Sequence, residues 1–508
     1  MKLKELFKPL INKEFLILLS ALLLRLPLLD GSFWLDEAAQ FLESARPLSQ
    51  QLNIIPDFQP PLLHLILHFA IYLSSTEWWL RLIGAVIPSL IALLATHKLG
   101  KKMFGNTTAS LSCLLLATSS FHIFFSQELR PYSLAAMWAS LAFLQLYQLV
   151  TKKEQIQKKI SWLPITAINT LGIYTSYLYP FVIITQIIIV LIFNKKILKK
   201  ALTSCAISAI LFLPFPPIFI KQLQAGRVLR QSLPGWELVV SHPQLQAIPL
   251  TVGKFIFGVI RLDLNTTFIA ISTALLSCGA ILAIFLYKNF ISRKKLQKKW
   301  LFLITAISIT IITPWLVSFL IPVIQPKRLM FVQPLIYLFL TALVTQAWQL
   351  KKATAKIIGA ILFLILISLN IFSTYRYYTQ KSLQREDWRS LAKYTQARFP
   401  AKQTVAVFGF NEPFAPWRLY AQDHFNTLAI ENNTAKNKEN IQEEIKPIYD
   451  YEFVLLFDYL RDLTDPDNQI LHAIESFGYE ELEVIDYENI GFVRVYIKDK
   501  QLLMSYLE

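Results

Sequence analysis

Apolar runs of near membrane-spanning length follow one another through the first 374 residues with little between them, and no other feature constrains the fold of this chain so strongly. A helix needs roughly 17–25 apolar residues to cross a hydrocarbon core, and candidates lie at about 15–30, 79–98, 107–126, 133–150, 161–178, 180–194, 201–219, 267–287, 300–320, 329–348 and 357–374. In lipid every backbone polar group must be satisfied internally, so these runs predict a mainly α, polytopic bundle of about eleven transmembrane helices. A hydrophobic content of 54% against 17% charged residues excludes a soluble fold of this length.

Loop charge predicts the orientation. The net charge of +16 divides unevenly: residues 1–374 hold 35 Lys and Arg against 12 Asp and Glu, whereas residues 375–508 hold 15 against 22. In a soluble protein a basic balance would raise nucleic acid as a partner; here the cations sit in short loops between apolar runs, so no nucleic acid is expected. Alternate loops carry Lys98–Lys102, Lys152–Lys159, Lys195–Lys200, Lys288–Lys299 and Lys351–Lys356. All five fall in the cytoplasm with the N-terminus if the short apolar stretch Pro60–Leu73 lies along the surface or re-enters, and all five fall outside if it crosses. The first reading obeys the positive-inside rule and places the C-terminus outside. The early lysines before a short apolar run resemble a secretory signal, but no small-residue cleavage site follows and Arg25 and Pro27 interrupt the run, so a retained first span is expected. Cys113, Cys205 and Cys278 lie within apolar runs and suggest neither disulfides nor a thiolate metal site.

The chain thus divides into a transmembrane domain, 1–374, with an outward first loop over 30–78, and an extracytoplasmic α/β domain, 375–508. In the second, helices are expected over Glu386–Arg398 and Asn468–Phe477, and strands over Thr404–Phe410, Phe453–Phe457, Glu481–Asp486 and Gly491–Ile497. Its acidic residues scatter over solvated faces without a catalytic cluster, and Arg389 is expected to be a bystander there.

Chemistry is sought in the outward segments. Trp34 precedes the adjacent carboxylates Asp36 and Glu37 just after the first span. Such a pair at a membrane surface is mutually repulsive and partly desolvated, which suits a general base, although acids also punctuate the outer ends of spans. Gln59, Pro60 and Pro61 form an extended lead into a helix on which His64 and His68 share a face; two histidines make no metal site, and packing explains them better. Glu128, Arg130 and Tyr132 occupy a turn between two spans, where the guanidinium fork of Arg130 suits phosphate, with snorkelling to the surface as the bland alternative. Lys327 and Arg328 put cations on the outward side against the prevailing charge rule, as a lipid phosphate would require, with a structural role at the span end as the alternative.

An outward Asp-Glu pair after the first span, a Pro-Pro segment leading into a surface helix, an Arg-Pro-Tyr turn and an Arg before a late span together resemble the bacterial relatives of the protein O-mannosyltransferases, in the GT-C class that also contains the lipid A aminoarabinose transferase. The resemblance covers about residues 10–350 and more loosely the outer domain. It implies a multi-pass glycosyltransferase of the bacterial inner (cell) membrane acting on cell-envelope glycan, lipid or protein acceptors, with a polyprenyl-phosphate sugar as donor. It also implies roles: Asp36 as the catalytic carboxylate with Glu37 as partner, Arg130 on the donor phosphate with Lys327 or Arg328, and Trp34, Pro60, Pro61, His64, Glu128 and Tyr132 shaping the pocket. The mannosyltransferases have His-Pro-Pro where Gln59-Pro60-Pro61 stands here, a departure that bears on the acceptor. Related enzymes differ in metal use, so a divalent metal ion is compatible with the resemblance, with no ligand set evident. In the inverting mechanism this implies, Asp36 takes the acceptor proton while the cations stabilise charge growing on the leaving phosphate. A flippase of lipid-linked glycans is the alternative from another class; it calls for broken spans or related halves with charges near the bilayer midplane. A ligase of the O-antigen type would be a transferase without need of the Asp-Glu pair.

Overall fold

The computed structural model describes residues 13–54, 57–151, 162–232, 244–260, 266–290, 294–321, 323–410, 412, 414–421, 424–430 and 438–498. The first lysines, the cluster Lys152–Lys159, Arg293 and the C-terminal Glu508 lie outside these residues. Each expected span overlaps a helix or a bent pair of helices. Among the described residues six helices are long and apolar enough to cross a membrane, Glu77–Phe104, Tyr132–Thr151, Thr266–Tyr287, Leu296–Val317, Lys327–Trp348 and Ala353–Thr379, and two bent pairs bring the number to eight. The remaining expected spans are shorter apolar helices, Glu14–Leu23, Leu163–Ile173 and Tyr179–Phe193.

One bent pair, Asn106–Thr118 and Ser120–Ser126, breaks by 64° at Ser119, whose backbone turns extended and whose hydroxyl accepts the amide of His122. Leu62–Ile71 is ten residues long and so spans only about 15 Å, half a hydrocarbon core. Pro60 and Pro61 precede it, and the Leu62 amide donates to Tyr174 O at 2.9 Å, which ties it to the turn between two later helices. A further helix, Gln244–Phe257 with Pro249 inside it, lies between the spans expected at 201–219 and 267–287.

The bundle is held by hydroxyl and amide pairs between helices: Thr108 with Thr345 at 2.6 Å, Thr185 with Thr310 at 2.9 Å, Thr166 with Ser204 at 2.7 Å, and Asn169 with Gln186. With no hydrophobic gain available between helices in lipid, such contacts and close packing drive association. The Lys327–Trp348 span sits at the centre, 89% buried, whereas Thr266–Tyr287 is 17% buried and faces outward along most of its length.

The last span runs through Thr374 to Thr379 before the C-terminal α/β domain begins. There β1 (Thr404–Phe408), β2 (Asn426–Ala429), β3 (Phe453–Phe457), β4 (Glu480–Tyr487) and β5 (Gly491–Ile497) form a sheet in the order β2-β1-β3-β5-β4. β1 pairs in parallel with β2 and β3, and β5 antiparallel with β3 and β4. β1 and β3 are buried on both faces, as their continuous apolar sequences require. One face packs on an aromatic core containing Trp388, Phe414 and Trp417, the other on Ile441, Ile445 and Ile474. The expected helices appear as Trp388–Arg398 and Gln469–Ser476; β2, whose sequence carries no alternation, was not anticipated.

Candidate active site

The segments expected on the outward side converge at one end of the bundle. Gln222 donates to the carbonyls of Ile54 and Asp57 and accepts the Tyr177 hydroxyl, and Lys327 lies between the rings of Trp34 and Tyr132, 5.7 Å from each centroid. The C-terminal α/β domain covers the same end, through contacts from Arg385, Glu386, Arg389 and Tyr420 to the first loop and the Gln127–Pro131 turn. At the opposite end Lys101 pairs with Glu14 at 3.3 Å, so one basic loop lies beside the first helix.

Asp36 and Glu37 open the helix Leu35–Ala45, and helical geometry points neighbouring side chains in different directions. Glu37 is fully buried. Arg81, also buried, donates Nε to Glu37 Oε1 at 2.9 Å and Nη2 to Oε2 at 2.5 Å, and spends its other donors on the carbonyls of Leu29, Gly31 and Ser32. The Leu129 amide adds a 2.6 Å bond to Oε1. Burial alone would raise this carboxyl; the Arg81 guanidinium offsets that and holds it below its ordinary range. Glu37 therefore bolts the first loop to the Glu77–Phe104 span and to the Gln127–Pro131 turn. Asp36 keeps its side chain 34% exposed, with Arg130 Nε at 4.0 Å from Oδ2.

Arg130 is more committed than its sequence suggests. Its terminal nitrogens hold Asp57 in a fork, Nη2 to Oδ1 at 3.2 Å and Nη1 to Oδ2 at 3.3 Å, and Nη1 also reaches Asp36 O at 3.4 Å. Asp57 further meets Gln59 Nε2 at 2.5 Å and His64 Nε2 at 3.1 Å. Burial opposes ionisation of Asp57, but Arg130 and His64 hold it well below the usual carboxylate range. Behind this pair, His64 Nδ1 meets Gln40 at 2.8 Å and His68 meets Ser44 O, so both histidines pack against Leu35–Ala45 as expected of packing residues. Pro60 and Pro61 are buried and deliver this arm to Arg130. Arg328 bonds Val323 O at 3.1 Å, and both Lys327 and Arg328 lie within electrostatic reach of Asp36.

Glu128 faces the other way. Its buried carboxylate pairs with Arg385 at 3.0 Å, and burial raises it despite that partner. The structure thus gathers Trp34, Asp36, Arg130, Tyr132, Lys327 and Arg328, and sets Glu37, Glu128, His64, Pro60 and Pro61 around them as supports. Asp57, Arg81, Arg385 and Glu386 were not found by reading the sequence; of these only Asp57 had a signal, an acid just before the proline pair. Arg389 is no bystander: it donates Nη1 to Glu77 at 3.0 Å and Nη2 to Asp30 O at 2.6 Å. Among the described residues no group of three or more His, Cys, Asp or Glu is placed to hold a metal ion.

Glu386 accepts Trp388 Nε1 at 2.6 Å and the Tyr459 hydroxyl at 2.7 Å. Burial pushes its carboxyl from 4.5 up to about 7, and these donors only partly offset that. A folded-state pKa above the unfolded one gives stability that is present below the unfolded value and is lost as pH rises through the folded value. Native protein should therefore lose heat stability relative to Glu386→Gln between pH 4.5 and about 7, with a constant difference above. Parallel melting curves across that window would disprove the shift.

The fold is that of the GT-C class of polytopic membrane proteins. Within it the chain is PMT- and ArnT-like: residues 58–220 match the family described as Dolichyl-phosphate-mannose-protein mannosyltransferase, a stretch that includes Pro60, Pro61 and Arg130 and begins after Asp36. ArnT from Cupriavidus metallidurans in the apo state superposes with a TM-score of 0.58 at 10% identity, over 96% of this chain and 98% of that one. The same protein bound to undecaprenyl phosphate gives 0.56 at 10% identity with the same coverage. The archaeal oligosaccharyltransferase AglB from Archaeoglobus fulgidus, in complex with an inhibitory peptide and a dolichol-phosphate, gives 0.54 at 12% identity over 97% of this chain and 75% of that one. No curated protein matches the sequence.

Proposed function

We propose that this protein is an inverting glycosyltransferase that moves a sugar from a polyprenyl-phosphate donor to an extracytoplasmic glycan, lipid or protein acceptor. The observation that carries this reading is Asp36: an accessible carboxylate beside the enclosed cations Lys327, Arg328 and Arg130, on the end of the bundle that the outer domain covers. Asp36 takes the proton of the acceptor as that group attacks the anomeric carbon. Lys327 and Arg328 stabilise the charge that grows on the leaving phosphate, the part of the path where such interactions accelerate reaction. Arg130, engaged by Asp57, orients Asp36 and adds positive potential. The undecaprenyl phosphate and dolichol-phosphate named with the structural neighbours support a lipid-phosphate donor. The basic loops support an inner-membrane orientation with the N-terminus in the cytoplasm and the outer domain outside. The site charges gather at one end rather than at mid-membrane, which favours a transferase over a flippase.

The test is transfer of labelled sugar from a polyprenyl-phosphate donor to envelope acceptors in proteoliposomes. Lys327 sits between two aromatic rings, so Lys327→Ala should weaken donor binding by about 2 kcal/mol or more, at least ~30-fold. Unchanged donor affinity in that variant would remove Lys327 from the phosphate site, and no transfer from any lipid-phosphate sugar by the native protein would sink the function.

A further inference from the structure

The segment Ser32–Glu37 is gripped almost residue by residue, and much of the grip comes from beyond the last span. The Ser32 hydroxyl donates to Glu386 O at 3.0 Å, and the Phe33 amide donates to the Tyr420 hydroxyl at 2.8 Å. That hydroxyl in turn donates to Glu77 at 2.8 Å, so it is satisfied in both directions and has one orientation available. The Leu35 side chain packs against the aromatic core of the outer domain, the cluster that contains Trp388 and Phe414. Glu386 is itself fixed by Trp388 and Tyr459, and Trp388 is fully buried against Phe457 of β3. From the membrane side, Glu37 is bolted to Arg81. Asp36, between these grips, keeps its own side chain partly exposed.

We propose that the outer α/β domain is the mould of the catalytic loop, with Glu386 and Tyr420 as positioning residues that hold the Ser32–Phe33 segment leading into Asp36, while Arg81 holds Glu37 on its other side, and so aim the Asp36 carboxylate at the acceptor. This rests on Asp36 being the base. A domain joined to the bundle only by the last helix would need none of these bonds; here a first-loop leucine has become part of the domain's own core. With the flanking backbone fixed, Asp36 keeps only its side-chain rotations to lose on reaching the reacting geometry, and a displacement of about 1 Å in such a group can cost ~100-fold in rate.

The experiment uses the full-length protein in proteoliposomes. Tyr420→Phe removes the acceptor for the Phe33 amide, and Glu386→Gln weakens the anchorage to Trp388 and Tyr459 that fixes the Glu386 carbonyl under Ser32; each should lower kcat roughly 10- to 100-fold while donor KM stays within about twofold. Glu443→Gln, an exposed change in the same domain, should leave both constants alone. Hydrogen exchange should quicken over residues 32–36 in Tyr420→Phe, with the sheet strands still protected. Native kcat in both variants, alongside an inactive Asp36→Asn, overturns the positioning role; an active Asp36→Asn overturns the catalytic reading on which it rests. If the variants do not fold, exchange in the native protein decides: protection of the Phe33 amide comparable to that of β3 supports the mould, and free exchange there overturns it.

Discussion

Asp36→Asn is expected to abolish sugar transfer while leaving the protein folded and able to bind donor. Asparagine keeps the shape of the side chain and removes the basicity, and a general base contributes on the order of 10²–10⁴-fold in rate. The structure explains why folding should survive. Asp36 is 34% exposed, and its ion-pair contact among the described residues is a 4.0 Å approach to Arg130, too long to contribute much to stability. Turnover and donor binding, measured on the same preparation, separate the outcomes. Near-native turnover in Asp36→Asn would remove the mechanism; loss of both turnover and donor binding would make Asp36 a structural residue.

Glu37 should behave in the opposite way. From the sequence it is a partner of Asp36 whose neutralisation to Gln would be mild; in the structure it is the buried half of an ion pair with Arg81. Removing one member of such a pair leaves the other charge uncompensated and costs about 3–5 kcal/mol. Glu37→Ala should therefore lower heat stability sharply, and activity with it, because Arg81 also holds three carbonyls of the loop before Asp36. Adding Arg81→Leu should recover part of the stability, since the stranded charge is gone, but not the activity, since the loop is no longer tied. A Glu37→Ala protein as heat-stable as the native one would show that the pair is not closed in the membrane.

These two adjacent carboxylates show where sequence reasoning stops. Nothing in Asp36-Glu37 distinguishes a base from a bolt, because the difference lies in what each faces, and that is set by Arg81, 44 residues further along the chain. Arg130 is a similar case. Its fork geometry suggests phosphate, yet Asp57 fills the fork, and the site cations left with freer donors are those of the late turn. Glu386 and Tyr420 were beyond reach for another reason: they belong to a domain whose acids scatter along the sequence, and they approach the first loop only after the bundle has closed.

The sequence by itself determined the class of solvent, the approximate helices, the segments that meet at one end and the α/β character of the C-terminal part. These follow from local rules: apolar length against bilayer thickness, charge in short loops and the two-residue period of strands. Only the tertiary structure decided which carboxylate is accessible and which is locked, that the short Pro60–Ile71 arm folds back against the site, and that the outer domain grips the loop bearing Asp36. Those outcomes depend on pairings between residues tens to hundreds of positions apart. A buried charge must find a partner wherever the fold places one, and that partner's distance along the chain leaves no local pattern to read.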